Sequence, residues 1–284
     1  PRRDLFRREM YVTGFNTLQA TRGCPFDCDY CAVTGVFGRE FRMRPVPEVI
    51  EEVRGFDHTD FFFVDDNICG NPSYAKELFR ALVPLKRSWG SQTSITFARD
   101  DELLRLYAKS GGKYAFIGFE SISPETLAGI NKKWNKADTY GEAIKKIHDA
   151  GINILGSFIF GLDEDDMTVF GRTLDFIMEH RIDAAQFHIL TPFPGTRLYN
   201  KMKRDGRIIE TDWAKYHTAE VVFQPKKMTV EELQRGYFNI WRETYSIPNI
   251  LKRMARSPRG LAYRAAMNFG YRNKAMRMPD VGKL

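Results

Sequence analysis

Short apolar runs alternate along the chain with amphipathic stretches of helical period. The runs are Thr17–Thr21, Asp60–Val64, Thr93–Ala98, Lys113–Phe119, Ile152–Phe160 and Ala184–Leu190. Each is bounded by polar residues or glycine, and most are rich in β-branched or aromatic side chains, as buried strands are. Helices are predicted between them. Asn71-Pro72 starts one, because the Asn side chain can accept from free N–H groups of the first turn and proline suits the first helical position. Tyr74, Leu78, Leu82 and Leu85 then recur at helical spacing. Ser123-Pro124-Glu125 opens another, with an acid at the positive end of the helix dipole. Met167, Phe170, Leu174, Ile177 and Met178 stripe a later one, and Thr229 caps a helix reaching about Tyr245.

Strand–helix alternation predicts an α/β fold in which helices cover a parallel sheet. Six such units between Thr17 and about Met202 fit a partial (β/α)6 TIM-like barrel with a helical, basic C-terminal extension. A doubly wound open sheet is the alternative that periodicity does not separate. The expected divisions are a lead-in at 1–15, a core at 16–205, an extension packing on it at 206–247, and a basic tail at 248–284.

Charge sharpens the view of that tail. The net charge is +7, yet residues 248–284 hold nine Lys/Arg against a single acid, Asp280, so the body is nearly neutral. Such a tail meets phosphates of nucleic acid or of an anionic membrane surface, or is simply a solvated helix. Leu261, Ala262, Ala265, Ala266 and Phe269 give it a weak apolar stripe. The longest apolar stretch, about Ile154–Leu162, is far short of the roughly 18 residues of a membrane span. Pro1-Arg2-Arg3-Asp4 lacks the apolar segment of a secretory signal. The expectation is a cytoplasmic protein, peripheral at the membrane if the tail binds lipid. A chain starting on proline is expected to be part of a longer one with a further domain upstream.

Three of the four cysteines fall within eight residues, as Cys24-Pro25-Phe26-Asp27-Cys28-Asp29-Tyr30-Cys31. The spacing is C-x3-C-x2-C, directly after a predicted strand. Three thiolates can hold three irons of a cubane cluster and leave the fourth without a protein ligand. Zinc is the alternative, but it takes four ligands, and only Cys69 or a histidine would complete the set. Cys69 reads better as a buried thiol.

Thr21-Arg22-Gly23 followed by this motif resembles the radical SAM superfamily. Arg42-Met43-Arg44-Pro45, Val64-Asp65-Asp66-Asn67, Phe116-Ile117-Gly118-Phe119-Glu120-Ser121, Phe158-Ile159-Phe160-Gly161-Leu162 and Thr191-Pro192-Phe193-Pro194-Gly195-Thr196 narrow the resemblance. Together they look like the branch usually fused to an N-terminal cobalamin-binding domain. The resemblance implies that Cys24, Cys28 and Cys31 bind a [4Fe–4S] cluster. It also implies that S-adenosylmethionine (SAM) chelates the open iron and is cleaved there to start radical chemistry. Asp65, Asp66 and Asn67 stand where the family often has Gly-Gly-Glu to contact the SAM amino group. Glu120 matches a SAM-binding position, and Lys132 a basic one that pairs with the SAM carboxylate. Ser157 sits where some relatives have an acid, and Tyr30 is placed to cover the adenine.

Substrate candidates come from strand alternation, which puts Gln186 and His188 on one face. The substrate expected by resemblance is small or lipid-like, with cobalamin-dependent methylation or ring formation as reactions. An electron donor such as flavodoxin or ferredoxin is also implied. Cobalamin would belong to a domain not in this chain, since no Asp-x-His-x-x-Gly motif is present. Two other readings remain: an RNA-modifying radical SAM enzyme, its bases stacked on Tyr263, Phe269 and Tyr271, and a non-enzymatic zinc-binding interaction module.

Overall fold

A computed structural model describes residues 16–38, 40–255 and 260–279; the lead-in 1–15 lies outside them. Six strands form one parallel sheet: β1 (Asn16–Leu18), β2 (Asp60–Phe63), β3 (Ser88–Thr93), β4 (Gly112–Glu120), β5 (Asn153–Phe160) and β6 (Ala184–Ile189). Their order in the sheet is their order in the chain. A doubly wound sheet reverses its strand order once; this one never does, so the helices lie on one side and the sheet curls into a partial barrel. The helices that follow β1 to β6 are α1 (Val46–Arg54), α2 (Pro72–Leu82), α3 (Asp101–Lys109), α4 (Tyr140–Asp149), α5 (Thr168–Glu179) and α6 (Arg197–Arg204).

The two faces of the sheet differ in packing. Phe61, Phe63, Trp89, Ala115, Ile117, Phe119, Ile154, Phe158, Phe187 and Ile189 are buried beneath the helices. Alternate residues point inward, as the period of two requires. Phe62 is 36% exposed and Val64, just past β2, is 50% exposed. Phe116, Leu155, Ile159, Gln186 and His188 are half-buried. The inner face is therefore an open lining, largely apolar with Ser157, Gln186 and His188 among it, rather than a packed core.

Helix starts follow the expected capping chemistry. Asn71 accepts from the Tyr74 N–H, Ser123 from that of Thr126, and Thr229 forms a reciprocal capping box with Glu232. The third strand departs from expectation. The β-branched run Thr93–Ala98 is not a strand; Ser94 caps it into a 3₁₀ turn, Ile95–Arg99. The strand is the more polar Ser88–Thr93 before it, which buries Trp89, Ser91 and Thr93 and carries glycine at 90. A Cβ there would lie 3.1 Å from the Phe62 ring on the inner face.

After α6 the chain builds α7 (Val230–Thr244), α8 (Ile247–Met254) and α9 (Leu261–Met276). The α9 face differs from the expected stripe: Leu261 and Phe269 are exposed, whereas Arg264, Asn268 and Ala275 are buried. The helix docks through polar groups because a buried carboxylate waits for it. Asp183, fully enclosed at the start of β6, accepts from the Ile154 N–H at 2.9 Å and pairs with Arg264 at 3.4 Å and His148 at 3.1 Å. Asn268 donates to the Asp183 carbonyl at 2.8 Å and accepts from Arg253, itself fully buried. Lys274 lies 4.5 Å above the Trp241 ring, and Arg272 donates to the Tyr245 carbonyl. These tail cations are engaged by the body.

Two aromatic side chains of α9 reach the inner face. Tyr263 packs on Tyr114 with ring centroids 3.7 Å apart, and the Tyr271 hydroxyl accepts from Gln186 Nε2. Tyr114 and Gln186 are each third in their strands, so α9 lies across the N-terminal mouth of the barrel. In that position the two tyrosines expected to stack on RNA bases already have partners. No helix among the described residues is long and apolar enough to cross a membrane. Asp183→Ala, which takes the buried carboxylate away from both Arg264 and His148, is expected to cost about 3–5 kcal/mol. Urea denaturation checks this; an unchanged midpoint would show that the latch carries no stability.

Candidate active site

The three clustered cysteines sit in the loop after β1, and that loop is held from two sides. On one side stand the residues just past β2. Asp65 accepts from the N–H groups of Ala20, at 3.1 Å, and Thr21, and from the Thr21 hydroxyl at 2.6 Å. Burial pushes its carboxyl up to about 6, against the pull of these donors. Asp66 accepts from the Gly23 N–H at 3.3 Å. Asn67 accepts from the Ser94 N–H at 3.2 Å and the Thr93 hydroxyl at 3.4 Å, and directs Nδ2 at the Cys24 sulfur, 4.0 Å away. The Asp65-Asp66-Asn67 segment thus clasps the start of the cysteine loop. Asp65 and Asn67 are buried in doing so; Asp66 is only half-buried.

On the other side stands Arg197, a residue that motif reading passed over. Pro194-Gly195 precedes it and Thr196 caps α6 by accepting from the Tyr199 N–H. Arg197 is thereby aimed at the loop, donating to Asp27 at 2.8 and 2.9 Å and to Asp29 at 2.8 Å. Leu198 N–H donates to the Asp29 carbonyl, Asn131 donates to that of Asp27, and Phe26 stacks on Trp134 with centroids 4.3 Å apart. The signal in the sequence was two aspartates inside the cysteine motif with an arginine just past a Pro-Gly turn.

Cys24, Cys28 and Cys31 are free thiols and half-buried. Burial raises all three, Cys28 to about 12, while Lys132 pulls the other way on each. The backbone N–H groups of Phe26 and Val33 pull Cys24 and Cys31 back down against that rise. Such donors and a nearby cation favour the thiolate that a metal requires. These groups fit three ligands of an iron–sulfur cluster, whose sulfurs are tuned by N–H donors. Among the described residues, no three His, Cys, Asp or Glu side chains are gathered to hold a single ion. Cys69 is buried in the core, and that burial pushes its thiol up to about 12.

Beside the cysteines lies a buried triad. Lys132 Nζ is 2.8 Å from Glu120 Oε1, both side chains being 9% exposed. Tyr30 donates to the same oxygen at 3.0 Å, and Lys132 approaches the Tyr30 hydroxyl at 3.4 Å. Burial draws the Lys132 ammonium down, but Glu120 and then the cysteine sulfurs more than offset it, leaving it raised. Burial, then the charge of Glu120, lifts the Tyr30 phenol well above its usual range. Glu120 ends β4 at φ 65°, a conformation rare outside glycine, where the pairing of β4 with β5 slips. Constrained backbone of this kind gathers at functional sites. Gly118 leaves room for the arrangement: a Cβ there would lie 2.2 Å from Glu120 Oε1.

The structure therefore brings together Cys24, Cys28, Cys31, Tyr30, Glu120 and Lys132, with Asp66 at the edge. Ser157 is on the inner face, in register with Gly118 on one side and Gln186 on the other. Gln186 faces inward but is bonded to Tyr271. His188 is one inward position nearer the cysteine end, with Nδ1 3.1 Å from the Thr218 hydroxyl.

Residues 18–177 match the Radical SAM superfamily, and residues 196–278 match a domain of unknown function, DUF4070. The chain is 38% identical over 247 residues to bacteriochlorophyllide d C-12(1)-methyltransferase of Chlorobaculum tepidum, covering 85% of this chain and 54% of that protein. It is 30% identical to the anaerobic magnesium-protoporphyrin IX monomethyl ester cyclase of Cereibacter sphaeroides, covering 79% and 37%. The chain thus spans about half or less of each of these relatives. In fold it is similar to the radical S-adenosylmethionine methyltransferase TsrM from Kitasatospora setae, solved with cobalamin and a [4Fe–4S] cluster bound. The TM-score is 0.65 at 15% identity, covering 93% of this chain and 61% of that one.

Lys132→Met leaves the Glu120 charge buried without a counter-ion, only the Tyr30 hydroxyl remaining on it, and is expected to lower stability by about 3–5 kcal/mol; adding Glu120→Gln should recover most of it. Denaturation of the cluster-free protein reads both. Additive losses in the double variant would mean that the two groups are not coupled.

Proposed function

Because the chain belongs to the radical SAM superfamily, we propose that it is the radical SAM portion of an enzyme that modifies an apolar, ring-bearing small molecule. Methyl transfer is the reaction the 38% identical relative favours. The single observation that carries the reading is the meeting of the cysteine loop with the Tyr30–Glu120–Lys132 triad at the C-terminal end of the barrel strands. Sites of barrel enzymes lie at that end.

Cys24, Cys28 and Cys31 hold the [4Fe–4S] cluster in this proposal. When bound, the cluster supplies the electron that divides SAM into methionine and a 5′-deoxyadenosyl radical. The residues do the positioning. Lys132 offers its ammonium to the SAM carboxylate, and Glu120, already oriented by Tyr30, accepts from donors on SAM. Asp66 is the side chain of its segment best placed to accept from the SAM amino group, since Asp65 and Asn67 are held in the loop's own bonds. Phe62, Val64, Phe116, Leu155 and Ile159 line the substrate side and exclude water, which a carbon radical requires. A flavodoxin- or ferredoxin-like protein serves as electron donor. Cobalamin, as methyl carrier, belongs to a part of the enzyme outside this chain.

Anaerobic reconstitution is expected to give a brown protein with about four irons and four sulfides per chain, forming 5′-deoxyadenosine or S-adenosylhomocysteine from SAM and a reductant. Alanine at Cys24, Cys28 or Cys31 should abolish both colour and product. Bound zinc with neither product would overturn the proposal. Gly118→Ala, which displaces the Glu120 carboxylate, should weaken SAM binding by about tenfold or more, the loss of one charge-assisted contact, while iron content stays intact. Unchanged SAM affinity would remove Glu120 from the SAM site.

A further inference from the structure

We propose that His188 is the axial ligand to the central metal of a metallated tetrapyrrole substrate, donating through Nε2 from the inner face of the barrel. The inference rests on the reading of this barrel as the substrate chamber of a radical SAM enzyme, and it names the substrate class and the residue that orients it.

The geometry is that of a prepared ligand. His188 is the fifth residue of β6, in register with Ile159 of β5, so it points inward near the cysteine end. Its Nδ1 is 3.1 Å from the Thr218 hydroxyl. Nε2 has no protein partner among the described residues and is not among the sealed polar atoms left unpaired there. A metal-binding imidazole characteristically donates its other ring N–H to an oxygen, which fixes the tautomer and leaves the free lone pair for the metal. The Thr218 hydroxyl can accept in this way from the Nδ1–H tautomer, which leaves the Nε2 lone pair free.

Thr218 is itself held with unusual firmness. Its backbone has φ 66°, uncommon for any residue with a side chain and more so for a β-branched one. Its carbonyl accepts from the Ile189 N–H at 2.7 Å, tying it to the residue after His188. Gln234 of α7 grips the next turn, accepting from the Val221 N–H and donating to the Ala219 carbonyl. Strained backbone maintained by surrounding bonds is a mark of a functional position. A histidine that merely filled space would need none of it. Burial lowers the His188 pKa, keeping the ring neutral as a ligand must be.

The chamber and the relatives indicate the ligand. Phe62, Val64, Phe116, Leu155 and Ile159 form an apolar inner surface suited to a flat macrocycle. Bacteriochlorophyllide and magnesium-protoporphyrin, named for two relatives, carry a magnesium ion in a plane of four nitrogens. That ion is open to a ligand from one side, which would fix how far the ring penetrates and which edge faces the cysteines.

The test uses the full chain without iron or SAM, titrated with zinc protoporphyrin IX and, separately, with metal-free protoporphyrin IX. The wild type should bind the zinc compound with a red-shifted Soret band, as imidazole ligation produces. His188→Ala should lose the shift and bind at least tenfold more weakly, added imidazole restoring the shift. His188→Gln should behave likewise if the alanine variant proves unstable. Thr218→Val, which keeps the ring but removes its partner, should bind about tenfold more weakly. Metal-free protoporphyrin should bind wild type and variants alike. An unshifted Soret band in the wild type, or equal zinc-porphyrin affinity in wild type and His188→Ala, would overturn the proposal. Since neither cluster nor SAM takes part, failure of reconstitution would leave this result standing. Production of 5′-deoxyadenosine without porphyrin binding would refute this inference alone.

Discussion

The ion pair between Glu120 and Lys132 is the constraint from which the site is built. Two charges this far from water are tolerable only when each completes the other, so the end of β4 and the loop after it are fixed relative to one another. Tyr30 joins the same carboxylate and carries the cysteine loop with it. One buried oxygen, Glu120 Oε1, thus joins the end of β4, the loop after it and the cysteine loop 90 residues upstream. The rest of the chamber follows from that junction: a glycine beneath it at 118, a slipped strand pairing beside it, and a backbone turned into the left-handed region.

The cysteine loop shows how a chain can shape a site before any cofactor arrives. Asp65, Asp66 and Asn67 hold its entry, while Arg197, Asn131 and Trp134 hold its middle. Every restraint comes from an element further along the chain, up to 170 residues away in the case of Arg197 and Asp27. The loop is therefore set only once the barrel has closed around it.

Much of this was legible in the sequence. Caps at Asn71, Ser123 and Thr229 act through adjacent residues, so reading along the chain finds them. Five of the six strands fell where apolar runs placed them, because a strand buried on one face declares itself by composition. The third did not: Ser88–Thr93 is polar, with glycine at its centre, and its pairing is decided by Phe62 and Tyr114 on neighbouring strands. The C-terminal helix was misread for a deeper reason. Hydrophobic stripes predict the inward face only when the partner surface is apolar, and here the partner is the Asp183 carboxylate, so Arg264 and Asn268 turn inward while Phe269 faces out. Asp65 and Gln186 were likewise visible as polar residues in the right place; that their bonding capacity is taken up within the protein depends on Thr21 and Tyr271, which no spacing rule connects to them.

The position of α9 across the N-terminal mouth has a consequence for traffic. Tyr263 and Tyr271 cover part of the base of the inner face, at Tyr114 and Gln186, so in the function proposed above reactants and products would pass at the rim where the cysteines lie. In that proposal a large substrate and a methyl carrier would meet at the rim, in turn or from different angles. The approach to the site would thus be shaped by a helix that carries none of the proposed cofactor-binding residues.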